Sequence, residues 1–295
     1  MKLMNTFLTF ALCALLLSCG ENKNNGKDQG GDGVWVHKEP RVARVEVSSS
    51  ETLLETYEFS YDDTGRITTL VKTDNMSKAV LLDLQYTYPS ENKMHIQGKF
   101  YPIATNRFID VDYDWNYRTF TYSGSWSTGW TYTTRCNEDD IVSETTAEVN
   151  FAASGGQYTS KTHYEEGYAV KDGTIYRIKI GSEVDAQSAH TTRTSNSQYL
   201  VYDLEYTNLA DNQNFMLYIV PCNFPVWAAS NLPGCKRLPK SVRIGSGDKG
   251  DVTYPESYTF EYEINASGDL ETAVRTDYNG VDVVLVRTYK FIYQQ

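Results

Sequence analysis

The chain has 295 residues, 23 of them tyrosine and 22% of them charged, with a formal net charge of −11 at pH 7. That acidic balance argues against nucleic acid as a partner and against a polybasic membrane patch. Five cysteines and four histidines fall in no Cys-x-x-Cys or His-Glu-x-x-His spacing, so neither a metal nor a cofactor is expected.

In chain order, Lys2 gives a short positive start and residues 7–17 an apolar run too short to span a bilayer. The run ends in Leu16-Leu17-Ser18-Cys19-Gly20, which resembles a bacterial lipobox. That resemblance implies a signal peptide over 1–18 and lipid attachment at Cys19; the plainer alternative is a secretory signal cleaved near Ser18, with Cys19 an incidental thiol. Several acyl chains on one Cys hold a protein firmly to a membrane surface, whereas one chain anchors only marginally. Residues 19–33 carry no large apolar side chain and read as a flexible tether. Residues 34–295 are expected to form a single antiparallel β domain, large enough to bury one substantial core.

The chain is organised around residues 55–70. Tyr57, Phe59 and Tyr61 alternate with polar residues, Asp62-Asp63-Thr64-Gly65 marks a turn, and Ile67 resumes the apolar rhythm. Period-two alternation interrupted by a turn cluster predicts a hairpin. The same pattern returns as Tyr258, Phe260 and Tyr262 followed by Asn265, Gly268 and Leu270. Weaker copies stand at Leu82, Leu84, Tyr86 and Tyr88, and at Tyr202, Leu204 and Tyr206. The rhythm predicts a first strand after Pro40 running to Val47, then strands over 55–61, 66–73, 78–88, 93–101, 107–125, 130–136 and 141–151. It continues over 157–171, 174–180, 199–206, 215–220, 241–244, 257–264, 270–278 and 281–293. Separators are residues 89–92, Pro102, residues 137–140, Asp172-Gly173, a polar run over 188–197, Asp211-Asn212 and Asn279-Gly280. Some fifteen strands and no convincing helix cannot form one flat sheet, so a sandwich or a barrel-like meander is required. Regular hairpin spacing favours the meander.

The phrase Tyr57-x-Phe59-x-Tyr61-Asp62-x-x-Gly65-Arg66-Ile67 resembles a bacterial lipoprotein family of unknown function with a porin-like fold. So do Leu238-Pro239-Lys240-Ser241-Val242 ahead of Tyr258-x-Phe260-x-Tyr262, and the closing Tyr289-x-Phe291-x-Tyr293. Single phrases also occur in YD-repeat shell proteins; their order and the lipobox carry the likeness, which covers 41–293 and departs over 113–163. Members are labelled lipid-binding. The resemblance implies a curled, porin-like all-β meander in the cell envelope, at the outer membrane. A lipid anchor, redundant for a protein that already spans, and the closing Gln294-Gln295 favour a soluble form over a membrane-spanning channel. It supplies no catalytic residues.

Trp126 and Trp130 flank Ser127-Thr128-Gly129, with Tyr122 and Tyr132 beside them. Such rings either contact a ligand, whether sugar, bilayer or lipid, or pack as a cross-strand aromatic pair. Asp110, Asp112 and Asp114 share one strand face. They are either a carboxylate site for calcium or glycoside chemistry, or a solvated face. Cys222 and Cys235 enclose twelve residues and either close a disulfide or remain thiols, and the intervening Trp227 loop reads as a lid or a surface loop. Gly245-x-Gly247-x-x-Gly250 matches a dinucleotide fingerprint but lacks the helix that must follow it, and is expected to be a loop. The expectation is a non-enzymatic, membrane-anchored protein holding a lipid or other amphipathic ligand inside the curled sheet. The alternatives are a glycan-binding or adhesion scaffold, and an enzyme acting on carbohydrate.

Overall fold

The computed structural model describes residues 36, 40–100, 103–114, 116–124, 130–136, 142–152, 158–171, 174–188, 192–196, 199–210, 237–247 and 253–294. They form seventeen strands. The first six are β1 (Val42–Ser49), β2 (Thr52–Tyr61), β3 (Ile67–Asp74), β4 (Ala79–Ser90), β5 (Lys93–Phe100) and β6 (Ile103–Asp114). Next come β7 (Thr119–Gly124), β8 (Trp130–Cys136), β9 (Val142–Ala152), β10 (Tyr158–Lys171), β11 (Thr174–Ser188) and β12 (Thr192–Asn196). The last five are β13 (Tyr199–Ala210), β14 (Arg237–Gly247), β15 (Thr253–Ile264), β16 (Leu270–Asn279) and β17 (Asp282–Tyr293). Among the described residues there is no helix.

Every pairing is antiparallel, and neighbours in sequence are neighbours in the sheet from β1 through β12 and from β13 through β17. β1 pairs with both β2 and β17, so the path of hydrogen-bonded neighbours leads back towards its start. The wall is irregular at one place. β11 is shared along its length, pairing with β13 over Arg177–Ile180 and with the short β12 over Glu183–Gln187. This is the curled antiparallel meander that the alternation predicts.

One face of the wall is apolar and buried, the other polar and exposed. Val45 and Val47 of β1, Phe59 of β2, Leu70 of β3, Leu84 and Tyr86 of β4 and Met94 and Ile96 of β5 all lie inward. Ile109, Val111 and Tyr113 of β6, Phe120 of β7, Phe260 of β15 and Phe291 of β17 continue that surface. Their neighbours on the other parity, such as Glu58, Asp83, Gln85, Gln97, Asp110 and Asp112, are exposed. A wall facing lipid has the reverse arrangement, with an apolar outside. Burial of these side chains at roughly 25 cal/mol per Å² is the main force rolling the sheet. Val42 would fall on the outer parity, but a register shift between Val42 and Arg44 turns it inward.

Four tyrosines at strand ends tie successive hairpins together. The Tyr61 hydroxyl donates to the Val42 carbonyl at 2.9 Å, Tyr88 to Ile67 at 2.8 Å, Tyr262 to Pro239 at 2.7 Å and Tyr293 to Leu270 at 2.6 Å. In each case the aromatic residue two places earlier (Phe59, Tyr86, Phe260 or Phe291) is buried inside. The Phe/Tyr-x-Tyr phrase therefore splits its duties: the first ring fills the core and the second stitches two strand ends.

Three strand expectations are corrected. The single strand over 107–125 is broken into β6 and β7, because the Asp114 carboxylate accepts the Asn116 and Tyr117 amides and Arg118 takes positive φ. The polar run over 188–197 contains β12, its Ser/Thr side chains compatible with an outer strand. Gly245 and Gly247 lie within β14, not in a loop, while Gly250 lies outside the described residues. The strand expected over 215–220 also lies outside them, as do the segments 1–33 and the turn at Asp172-Gly173.

Candidate functional site

Antiparallel order sorts the hairpins between two rims. The chain enters at one rim, at Val42, beside the Asp62–Gly65 and Asn265–Gly268 turns. The opposite, far rim carries the turns joining β1 to β2, β3 to β4 and β16 to β17.

The inner face changes character between them. Towards the entry rim it is Phe59, Ile67, Leu70, Leu84 and their neighbours, all buried against one another. Towards the far rim the same inward positions become ionic. On β2 and β3, Tyr57 stands opposite Lys72 and Glu55 opposite Asp74. The Lys72 ammonium reaches Glu55 at 3.0 Å and lies 5.0 Å from the Tyr57 ring centre. On β16 the inward sequence runs Ala273, Arg275, Asp277. Arg275, only 2% exposed, is held by Asp277 through Nε–Oδ1 at 2.5 Å and Nη2–Oδ2 at 2.9 Å, and its guanidinium lies 3.7 Å from the Tyr258 ring centre. A guanidinium so deeply buried is tolerable only with such a fork and an aromatic face. Arg287 of β17 stands directly opposite Arg275 and shares the inward parity of Tyr289. Burial pushes the Tyr258 and Tyr289 hydroxyls above the ordinary tyrosine range, so both are neutral donors at physiological pH.

Just beyond this ionic band the far rim is apolar. Val281 is 92% exposed, Val284 65% and Met76 of the β3–β4 turn 68%, with Val283 and Val80 also exposed. Val283 and Val284 are adjacent in sequence and both face water, so the β16–β17 tip projects past the wall with both sides free.

The site expected from sequence maps onto this rim in part. Gly124 at the end of β7 and Trp130 at the start of β8 lie towards the far rim, while Trp126 lies outside the described residues. Tyr122 stands in register with Tyr132, and Trp130 with Val149. Cys19, Cys222, Cys235 and the Trp227 loop lie outside the described residues. The three aspartates are solvated and engaged. Asp110 meets His95 Nδ1 at 2.7 Å, Asp112 meets Lys93 at 2.8 Å, and Asp114 caps its turn. Among the described residues no group of three or more His, Cys, Asp or Glu side chains is arranged to hold a metal.

The ionic band was missed because alternation was read for its apolar members only. Its signal is a charged residue on the inward parity, as in Ala273-x-Arg275-x-Asp277. A second cluster missed in the sequence lies on the outer face. Asp203 accepts both nitrogens of Arg177 at 2.5 and 2.9 Å and the Tyr254 hydroxyl at 2.6 Å, with Arg243 4.9 Å from the Tyr254 ring centre. The Arg177 fork, outweighing partial burial, holds the Asp203 carboxyl below the usual range.

No protein-family model matches the chain, and no curated protein matches it. Among solved structures it is similar to a porin-like protein from Bacteroides vulgatus ATCC 8482, with a TM-score of 0.52 and 11% identity over 87% of this chain and 99% of that one. A porin-like protein from Bacteroides uniformis ATCC 8492 aligns with 86% of this chain and 98% of its own at 11% identity, with a TM-score of 0.36, and carries no argument. At such identity the first likeness shows the fold alone: a porin-like, all-β architecture.

Proposed function

We propose that this protein is a lipid-anchored component of the bacterial envelope, at the outer membrane, that binds an amphipathic ligand without catalysis. The observation that carries the reading is the gradient along the inner face, from packed apolar side chains to an ionic band and then an apolar far rim. An amphipathic molecule has the matching profile, a polar head for the band and a tail for the rim valines and Met76. The described rings of the interior have little exposed surface, so this reading places the ligand nearer the mouth than the sequence suggested. It sits at the far rim. Cys19 and the tether over 19–33 would hold the chain at a membrane, and residues between Cys19 and Val42 can span roughly 70 Å when extended, enough for either rim to face the bilayer.

Organic extraction of protein purified from the envelope, followed by mass spectrometry, is expected to return a lipid in near-stoichiometric amount. Protein that returns no lipid and takes up no amphiphile overturns the reading. Anchoring is checked separately: Cys19→Ala should move the protein from the membrane to the soluble fraction. A glycan-binding scaffold is the second reading, favoured by the outward Arg177–Asp203–Arg243–Tyr254 cluster. Binding on a glycan array that disappears in Tyr254→Ala would support it over the first.

A further inference from the structure

We propose that Arg287, with Arg275 behind it, forms an anion site at the mouth of the inner face that takes the carboxylate or phosphate head of an amphipathic ligand; this rests on the reading above. Arg275 and Arg287 are direct cross-strand partners, and consecutive pairing from Ala273↔Tyr289 to Arg275↔Arg287 puts both on the inward face with Tyr289. Side chains opposed in this way lie about 5 Å apart at Cβ, and like charges there repel. Among the described residues Asp277 is the carboxylate that meets Arg275, and both its oxygens accept from that guanidinium. Arg287 shares the inward parity of the neutral Tyr289 phenol, and among the described residues it forms no ion pair.

Of the other described carboxylates towards this rim, Glu51 of the β1–β2 turn and Asp282 of the β16–β17 tip are exposed and, among ion pairs between described residues, meet neither arginine. Glu55 is paired with Lys72, and Asp74 holds the Met76 and Ser77 amides and the Ser77 hydroxyl in its turn. Glu256 shares the inward parity of Tyr258 at the rim but is exposed, and among ion pairs between described residues it meets neither arginine. Arg287 thus places on a part-buried surface a positive charge that no carboxylate among the described residues pairs with. A bound anion satisfies it, and a guanidinium fork suits carboxylate or phosphate oxygens. The Tyr258 and Tyr289 hydroxyls, kept neutral, add donors and no competing charge. The apolar tip at Val281–Val284 lies beyond this point, so a head in the site leaves its tail at the valines.

The test uses the full mature chain and four probes: dodecyl phosphate, laurate, dodecyltrimethylammonium and inorganic phosphate, with titration calorimetry as readout. Dodecyl phosphate and laurate are expected to bind at least tenfold more tightly than the cationic amphiphile. Arg287→Gln should remove that preference at unchanged Tm, and Arg287→Lys should restore part of it. Arg275 is left intact because its removal would strand Asp277 in the core. Equal binding of anionic and cationic amphiphiles, or an Arg287→Gln variant that keeps the preference, overturns the anion site while leaving the amphiphile reading standing. Inorganic phosphate bound as tightly as dodecyl phosphate and lost in Arg287→Gln upholds the anion site but assigns it to a free anion, which removes the lipid reading. Binding of none of the four overturns both.

Discussion

The β2–β3 and β15–β16 hairpins make the same turn with different side chains. In the first, the Asp62 amide donates to the Arg66 carbonyl at 2.8 Å and the Gly65 amide to the Asp62 carbonyl at 2.9 Å. In the second, Asn265 and Asp269 take those places at 2.8 Å, and Gly268 and Asn265 at 3.0 Å. The glycines have φ of 90° and 91°. Asp62 Oδ1 and Asn265 Oδ1 each accept the amides two and four residues on. Beyond the backbone they part. Asp62 also holds the Thr64 hydroxyl and the Arg66 guanidinium, and Arg66 lies 4.7 Å from the Tyr88 ring centre, joining the turn to the next hairpin. Asn265 faces Asp269, and no charge pair forms. The turn conformation thus needs only an Asx acceptor and a glycine, whereas the ionic link to the neighbouring hairpin is an addition made once.

The largest effect that would sharpen this contrast is at the glycines. Both need a φ that L-residues adopt at a cost of about 1–3 kcal/mol. At Gly65 an added Cβ would also lie 2.6 Å from Arg41 Nη2, while at Gly268 nothing stands within 4 Å. Gly65→Ala should therefore lower stability by about 2.5 kcal/mol, the excess coming from displacing the flexible Arg41 guanidinium from the Tyr61 ring, and Gly268→Ala by about 2 kcal/mol, read from urea midpoints. Equal losses would remove the packing difference.

Next comes the Asx residue. Asp62→Ala removes charge-assisted bonds and should cost about 2 kcal/mol, against about 1 kcal/mol for Asn265→Ala. A related effect appears with pH. Burial alone would raise the Asp62 pKa, but hydrogen bonds from Thr64 and Arg66 and the Arg66 charge bring it to about 2. The folded value lies below the unfolded one, so its stabilisation is complete above about pH 4 and is lost as pH falls through about 2. Asp62→Asn should flatten the fall in stability between pH 4 and 2 without abolishing it, since Asp74 and Asp203 are also held low. An unchanged acid limb would break the proposed link.

The smallest effect should be shared. Tyr61→Phe and Tyr262→Phe each delete one hydroxyl bonded to a backbone carbonyl, and each should cost about 1 kcal/mol by thermal unfolding. A clear inequality would show that the two stitches are not equivalent.

How much was legible follows from the range of each cause. Hairpin 55–70, its late copy at 258–270 and the all-β meander could be read because alternation and Asx-x-x-Gly turns act within a few residues. The break at Asn116 escaped because Asp114 sits in an unbroken Asp-x-Asp-x-Asp rhythm that also suits a strand. Val42 on the inner face depended on a register shift with β17, 250 residues away in sequence.

The ionic band was the least legible part. Arg275 reads as a solvent-facing charge until Phe260, Tyr258 and Asp277 are seen to surround it on the inward face. The amino-acid sequence by itself determined which residues alternate, where the chain turns and that the product is a rolled antiparallel wall. Only tertiary structure decided that the two arginines 275 and 287 face one another, and that the valine tip, Met76 and the start of β8 share one rim. The reason is physical: local sterics and burial periodicity set strands and turns, but cross-strand register sets which charges become neighbours.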